Sequence, residues 1–290
     1  MPRPQPQLGL ATEAINLEEL YAVISGAASQ DVAQLQACTE RLKMMMDMTG
    51  TFDGLSDIAS QKTSVPLAVR QQSIIQFKNH ALSHWRSRKL LTDEARARIR
   101  SRCLMMLDEE DDLIAQCNEE IISKIARSDF PGNWSNLVTD LMTTIETNLQ
   151  IRYSSNAADP RTTLVLRRSI KALNGIVFEF TTIRMLTGVA TLKNVSSSPH
   201  WLFPKLNDVG FKLFTYLHQP LWKYYETISS PFASTLNPDS IALPRTAEDL
   251  LLAHLIYEAV FHLTTWLWQR HGKDGKDEFE GLRPWVCGIA

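Results

Sequence analysis

His254, Glu258 and His262 have the spacing of a metal site. On a helix, two imidazoles and a carboxylate set four residues apart share one face, and zinc accepts all three as ligands. The H-E-x-x-H order of zinc proteases is missing, however, and no fourth ligand is evident. The triad therefore reads as a polar stripe on a helix, and no metal is expected. Other catalytic signatures are missing as well: there is no G-x-S-x-G, no Walker A loop and no G-x-G-x-x-G. Cys38, Cys103, Cys117 and Cys287 lack C-x-x-C spacing. They suggest neither a disulfide framework nor a zinc site, and they fit a reducing compartment. Nothing here asks for a cofactor or for enzymatic chemistry.

What remains is electrostatic. Arg86, Arg88, Lys89, Arg96, Arg98, Arg100 and Arg102 form a basic group. Helical spacing puts 96 and 100 on one face and 98 and 102 on another. No exposed aromatics are interleaved to stack on bases, so a nucleic-acid surface is not indicated. The acidic run Asp108–Asp112 follows at once and could compensate the arginines, leaving a solvated, salt-bridged surface. The same run sits where a helix should begin, and the helix dipole favours negative charge there. Over the whole chain 30 Lys and Arg balance 32 Asp and Glu, so no global field draws it to nucleic acid or anionic lipid.

The elements that must position these groups are helical almost throughout. With 290 residues, 44% of them hydrophobic, the chain can bury two domains or one extended array. A Pro/Gln-rich lead-in, residues 1–14, lacks the apolar core of a secretory signal and is expected to be disordered. Asn16 with Glu19 reads as a capping box, followed by Leu17, Leu20, Tyr21 and Ile24 at helical spacing. Leu35, Cys38, Leu42 and Met45 mark the inward face of a second helix, and a third covers about 52–60. Pro66 opens a long helix with Ile74, Phe77, Ala81 and Trp85 inward. Thr92 caps the next, with Ile99, Cys103, Met106 and Leu107 inward. Further apolar faces follow at Ile114–Ile125, Trp134–Ile145 and Leu166–Phe180. The last two helices, about 201–228 and 246–270, flank a loop holding Pro231, Pro238 and Pro244. Residues 250–269 are long enough to span a membrane, but Glu258, two His and two Thr argue for a packed helix.

About ten amphipathic helices in five short-connected pairs, repeating every 40–50 residues or so, are the signature of stacked helical pairs. The expected fold is all-α, an α-α superhelix of HEAT or armadillo type, in which neighbouring pairs complete one another's core.

Three motifs in order carry a family resemblance. The long helix contains Val69-Arg70, Ser73, Phe77-Lys78-Asn79 and Trp85. Asp129-Phe130-Pro131-Gly-Asn-Trp134 forms a turn motif. Leu166-Arg-Arg-Ser-Ile-Lys-Ala-Leu173 runs on to Phe180-Thr-Thr-Ile-Arg-Met185. Together they resemble the N-terminal region of the importin-β (karyopherin-β) family, in its importin-eleven branch, across residues 15–270. Asn174-Gly175-Ile176 departs from the branch pattern. Residues 271–290 read as a linker and the truncated start of a further repeat, and the resemblance implies a longer receptor.

The resemblance implies a nuclear transport receptor, an importin rather than an enzyme, whose inner helices contact the small GTPase Ran in its GTP form. Carried onto this chain, the candidate Ran-binding residues are Gln71, Ile75, Lys78, Asn79 and Leu82, which lie on and beside one strip of the long helix. Val69, Arg70, Phe77, Trp85, Asp129, Phe130, Pro131 and Trp134 are expected to be structural, with Arg70 pairing to an Asp of a neighbouring repeat. The implied partners are Ran, protein cargo and the FG-repeat proteins of the nuclear pore, with no nucleic acid and no membrane insertion. The implied setting is a monomer shuttling between cytoplasm and nucleus through the nuclear envelope. On this view the basic group could touch cargo or GTPase, and the acidic run could attract basic localisation signals. A Ran-independent HEAT scaffold or adaptor is the alternative.

Overall fold

The structure, a computed structural model, describes residues 14–154, 159–191, 202–234 and 243–271. Ten α-helices follow in order: α1 Leu17–Ala27, α2 Val32–Met45, α3 Thr51–Ser60, α4 Leu67–His84, α5 Asp93–Met105, α6 Asp112–Asp129, α7 Leu137–Ser154, α8 Pro160–Thr191, α9 Leu202–Ser234 and α10 Leu243–His271. Among the described residues there is no strand beyond one isolated bridge, Ala14 to Thr49. The all-α, HEAT-like class expected from the periodicity is what is found. Residues 1–13 of the lead-in, Pro238, Cys287 and most of the segment 271–290 lie outside the described residues. Pro231 and Pro244, expected in a loop, fall inside the ends of α9 and α10.

Two compact units divide the chain, Met1–Ile121 and Ile122–Ala290. In the first, α1 packs on α2, α3 and α4, and α3 packs on α4 and α5. Leu20, Ile24, Phe52, Leu55, Ile74, Phe77, Ala81, Trp85, Ile99 and Cys103 form its core. Local chemistry sets the helix ends. Asn16 accepts from the backbone N–H of Glu18 at 2.9 Å and of Glu19 at 3.4 Å, but the Glu19 carboxylate turns to Arg41, so the capping box is only half realised. Gly50 adopts φ 94° at the start of α3, a left-handed conformation that favours glycine. Gly54 lets α3 come close to α1: a Cβ there would meet the Leu20 side chain at 2.7 Å. Pro66 is the residue before the helix rather than its first position. The Thr92 hydroxyl caps α5 through the N–H of Ala95 at 3.2 Å.

Two face assignments are corrected. Leu17, Tyr21 and Leu35 are exposed, and α1 buries Val23 and Ala27 alongside the expected Leu20 and Ile24. The apolar residues of α1 spread wider than the stripe its neighbours cover. On α2 only the C-terminal part, Leu42 and Met45, is buried.

In the second unit α7 packs on α8, and α8, α9 and α10 pack on one another. Leu137, Leu141, Ile145, Leu166, Ile170, Leu173, Val177, Leu217, Ile256 and Leu263 are all buried. A window of α10, Ala247–Leu267, is long and apolar enough to cross a membrane, but half of it is buried in the fold. Arg152, fully buried, ties α7 to α10 by donating to Asp249 at 2.7 Å, and Tyr153 donates to the same carboxylate at 3.0 Å.

Candidate partner-binding face on α4 and α6

Phe77 points into the core, so Lys78 sits about 100° further round α4. Gln71, Ile75, Lys78 and Leu82 form one stripe, all half-buried, and Asn79 beside them is exposed. The stripe looks toward α6. The Gln71 amide donates to Asp111 Oδ2 at 2.9 Å, and the Lys78 amine donates to Glu120 Oε2 at 3.1 Å. That hydrogen bond raises the Lys78 pKa above its ordinary value. Beneath it, burial pushes the Cys117 thiol up, while the Lys78 charge pulls the other way. The structure thus places the five candidates along a seam in which two polar members already hold carboxylates of the same unit. Glu120 was missed in the sequence reading. The available signal was its place on α6, one position from the apolar residue Ile121.

Arg70 lies on another side of α4 and is structural. Its Nε donates to the Ala59 carbonyl at 3.0 Å, and its guanidinium is ion-paired with Glu109. Both side chains are buried. The expected acidic partner is therefore a Glu from the turn before α6, not an Asp. The longer side chain can reach Arg70 and still accept from the backbone N–H of Asp111, at 3.1 Å. Asp111 in turn caps α6 by accepting from Ile114 N–H at 2.9 Å, and Asp108 pairs with Lys62. The acidic run is thus engaged in structure: it caps a helix, as the dipole argument expects, and it ties α4 and the loop before it to α6.

Two of the arginines that precede it find their partners elsewhere. Arg98 and Arg102 are held by Asp53 of α3, and Arg102 also reaches Asp57 at 2.9 Å. Their partners lie about 45 residues back in sequence, which helical spacing alone cannot show. Val69, Phe77 and Trp85 are buried, as expected.

In the second unit, the turn motif is closed by the Asp129 carbonyl, which accepts from Asn133 N–H at 2.7 Å and Trp134 N–H at 3.1 Å. The Phe130–Pro131 peptide is cis. Trp134 is buried, and Phe130 meets Phe180 edge-on with centroids 6.2 Å apart. A groove of about 700 Å³ opens beside it, with Val138, Leu213, Phe130 and Tyr216 among its lining residues. His254 is exposed, Glu258 accepts from the Asn174 amide at 2.8 Å, and His262 packs on the Phe178 ring at 5.3 Å. Two members of the polar stripe thus have partners within the unit. Asn174, where the chain departs from the branch pattern, also donates to the Leu255 carbonyl at 3.2 Å, joining α8 to α10.

The comparisons with known proteins bear on the same stretch. Residues 40–109, from α2 to the turn before α6, match the importin-beta N-terminal domain. Importin beta-like protein KAP120 of Saccharomyces cerevisiae is 36% identical over 77 residues, covering 26% of this chain and 8% of that protein. Importin-11 of Mus musculus and of Homo sapiens is 27% identical over 132 residues, covering 45% of this chain and 13% of each relative. Residues 40–109 are therefore similar to an importin-β N-terminal domain, and the longer matches are to Importin-11. It spans a small fraction of the length of these relatives.

Proposed function

We propose that this chain acts in a nuclear transport receptor, as an importin. Its α4–α6 face binds Ran in the GTP form and couples that binding to the capture or release of protein cargo. The observation that supports the reading is the match of residues 40–109 to the importin-beta N-terminal domain, with α4 near the centre of the match. The role is binding, not covalent chemistry. Gln71, Ile75, Lys78, Asn79 and Leu82 are the contact residues, and Ran affinity and cargo affinity are linked reciprocally. The apolar groove beside Phe130 and Tyr216 is suited to an aromatic side chain, such as that of an FG repeat of a nuclear pore protein. Shuttling between cytoplasm and nucleus follows from this reading.

One observation favours a second reading. Gln71 and Lys78 already face Asp111 and Glu120, as they would in a helical scaffold that never meets a GTPase. Capture of the chain on immobilised Ran separates the two. Retention on Ran loaded with GTP but not GDP is expected, and equal retention or none supports the scaffold.

A further inference from the structure

The basic group of seven divides once its partners are known. Arg96 is buried, and it donates to the Trp85 carbonyl at 2.8 Å and to Asp93 at 2.6 Å. Arg98 and Arg102 are neutralised by Asp53 and Asp57, and Arg100 is likewise engaged. Arg86, Arg88 and Lys89 are different. All three are exposed, and among the described residues none of their side chains makes a hydrogen bond or ion pair.

These three cations stand on a turn that is fixed from below. Trp85, Leu90 and Leu91 are buried. The Arg96 guanidinium holds the Trp85 carbonyl, and the Thr49 hydroxyl donates to the Lys89 carbonyl at 3.0 Å. Within the turn, Ser87 N–H donates to the His84 carbonyl at 2.8 Å and Leu91 N–H to the Ser87 carbonyl at 3.0 Å. The backbone is thus ordered in advance, so a ligand meeting the three charges need order only their side chains. Attraction to the C-terminal end of the α4 dipole is a weaker account. It fades beyond the last turn of a helix, and all three residues lie past His84.

We propose that the Arg86–Lys89 turn is a docking site for a short Asp/Glu-rich segment of a partner protein. Two guanidinium forks and an ammonium within four residues can each take a carboxylate of an extended acidic segment. Arg96, Arg98 and Arg102 are already paired with carboxylates, so the positive surface is short. A nucleic acid needs a longer track and exposed rings for stacking, and here Trp85 is buried. A membrane surface needs a longer basic run or apolar side chains beside the cations, and here the run is three and Leu90 and Leu91 are buried. The inference rests on the pairing of charges between α3 and α5 and is independent of Ran.

The test is fluorescence anisotropy at low ionic strength with a labelled peptide of alternating Asp and Glu, and with labelled oligouridylate of equal charge. The full chain and its Arg86→Ala/Arg88→Ala/Lys89→Ala variant are compared, along with Arg86→Lys/Arg88→Lys. The peptide should bind the wild type, weaken at least about tenfold in the alanine variant, and weaken less than that in the lysine variant, which keeps the charge but loses the guanidinium fork. Circular dichroism should be unchanged, because none of the three side chains makes a contact to lose. Should the triple variant fold poorly, Arg88→Glu alone carries the same expectation. No binding of the peptide, equal binding by the alanine variant, or tighter binding of oligouridylate would each overturn the assignment.

Discussion

Replacing Arg70 by Met removes a guanidinium that is 5% exposed and strands Glu109, which is 2% exposed. Breaking one side of a buried ion pair costs about 3–5 kcal/mol, because the remaining charge stays desolvated. The Ala59 carbonyl loses its donor at the same time, a loss of about 1 kcal/mol that we include in that range. Removing both charges, as Arg70→Met with Glu109→Met, takes away the stranded carboxylate and should recover much of the loss. It will not recover all of it, since Asp111 N–H also donates to Glu109. Urea denaturation of the wild type, both single variants and the double variant forms a double-mutant cycle. A coupling of at least about 2 kcal/mol is expected. If Arg70→Met costs below about 1 kcal/mol, or if the two losses simply add, then the pair is not the tie between α4 and the turn before α6.

Lys78→Glu should weaken binding to Ran-GTP at least tenfold, about 1.4 kcal/mol, with little change in melting temperature, since an exposed ion pair is worth about 0–1 kcal/mol. Adding Glu120→Lys restores the internal pair with reversed polarity. If calorimetry shows Ran affinity restored as well, Lys78 matters only through Glu120. Phe77→Ala is the contrasting variant, expected to lose about 3–5 kcal/mol of stability from the core, with binding falling alongside. Burial pushes the Cys103 thiol up to about 12, so in the native chain it stays protonated as pH rises through the ordinary thiol range and its thiolate is scarce. Iodoacetamide at mildly alkaline pH should label the half-exposed Cys38 and spare Cys103 until denaturant is added, as peptide mapping would reveal. Comparable labelling of both would contradict the burial.

Core faces on the central helices were legible because each is a periodic stripe of large apolar residues. Ile74, Phe77, Ala81 and Trp85 on α4, and Leu166, Ile170, Leu173 and Val177 on α8, are of this kind. The first pair was less legible. Leu17, Tyr21 and Leu35 continue the apolar pattern, but nothing in periodicity tells how much of an outer helix its neighbours will cover. The candidate strip on α4 was legible only as a direction, one step round the helix from Phe77. What faces it depends on Asp111 and Glu120, about 40 residues on. The same distance in sequence hid the α3 aspartates that neutralise Arg98 and Arg102. Pairings across elements are set by packing, and one sequence records them only as unassigned charge.

The seam between α4 and α6 bears directly on how a partner could use the strip. Gln71 and Lys78 are already paired inside the unit, so an incoming group at Lys78 exchanges one carboxylate for another and gains only the difference. Exchange at an exposed pair is inexpensive, because Lys78 and Glu120 are 28% and 48% exposed and water can solvate whichever is released. Exchange at Arg70 and Glu109 is not, since both would be left in the core. The two ion pairs of α4 therefore divide its work. The buried one fixes where the turn before α6 begins, and the exposed one can open without disturbing that start. On the proposed reading, a GTPase that takes Lys78 from Glu120 changes the α4–α6 seam near the middle of α6 while Asp111 still caps its first turn. Contact with the strip would then be felt along α6 rather than at its origin.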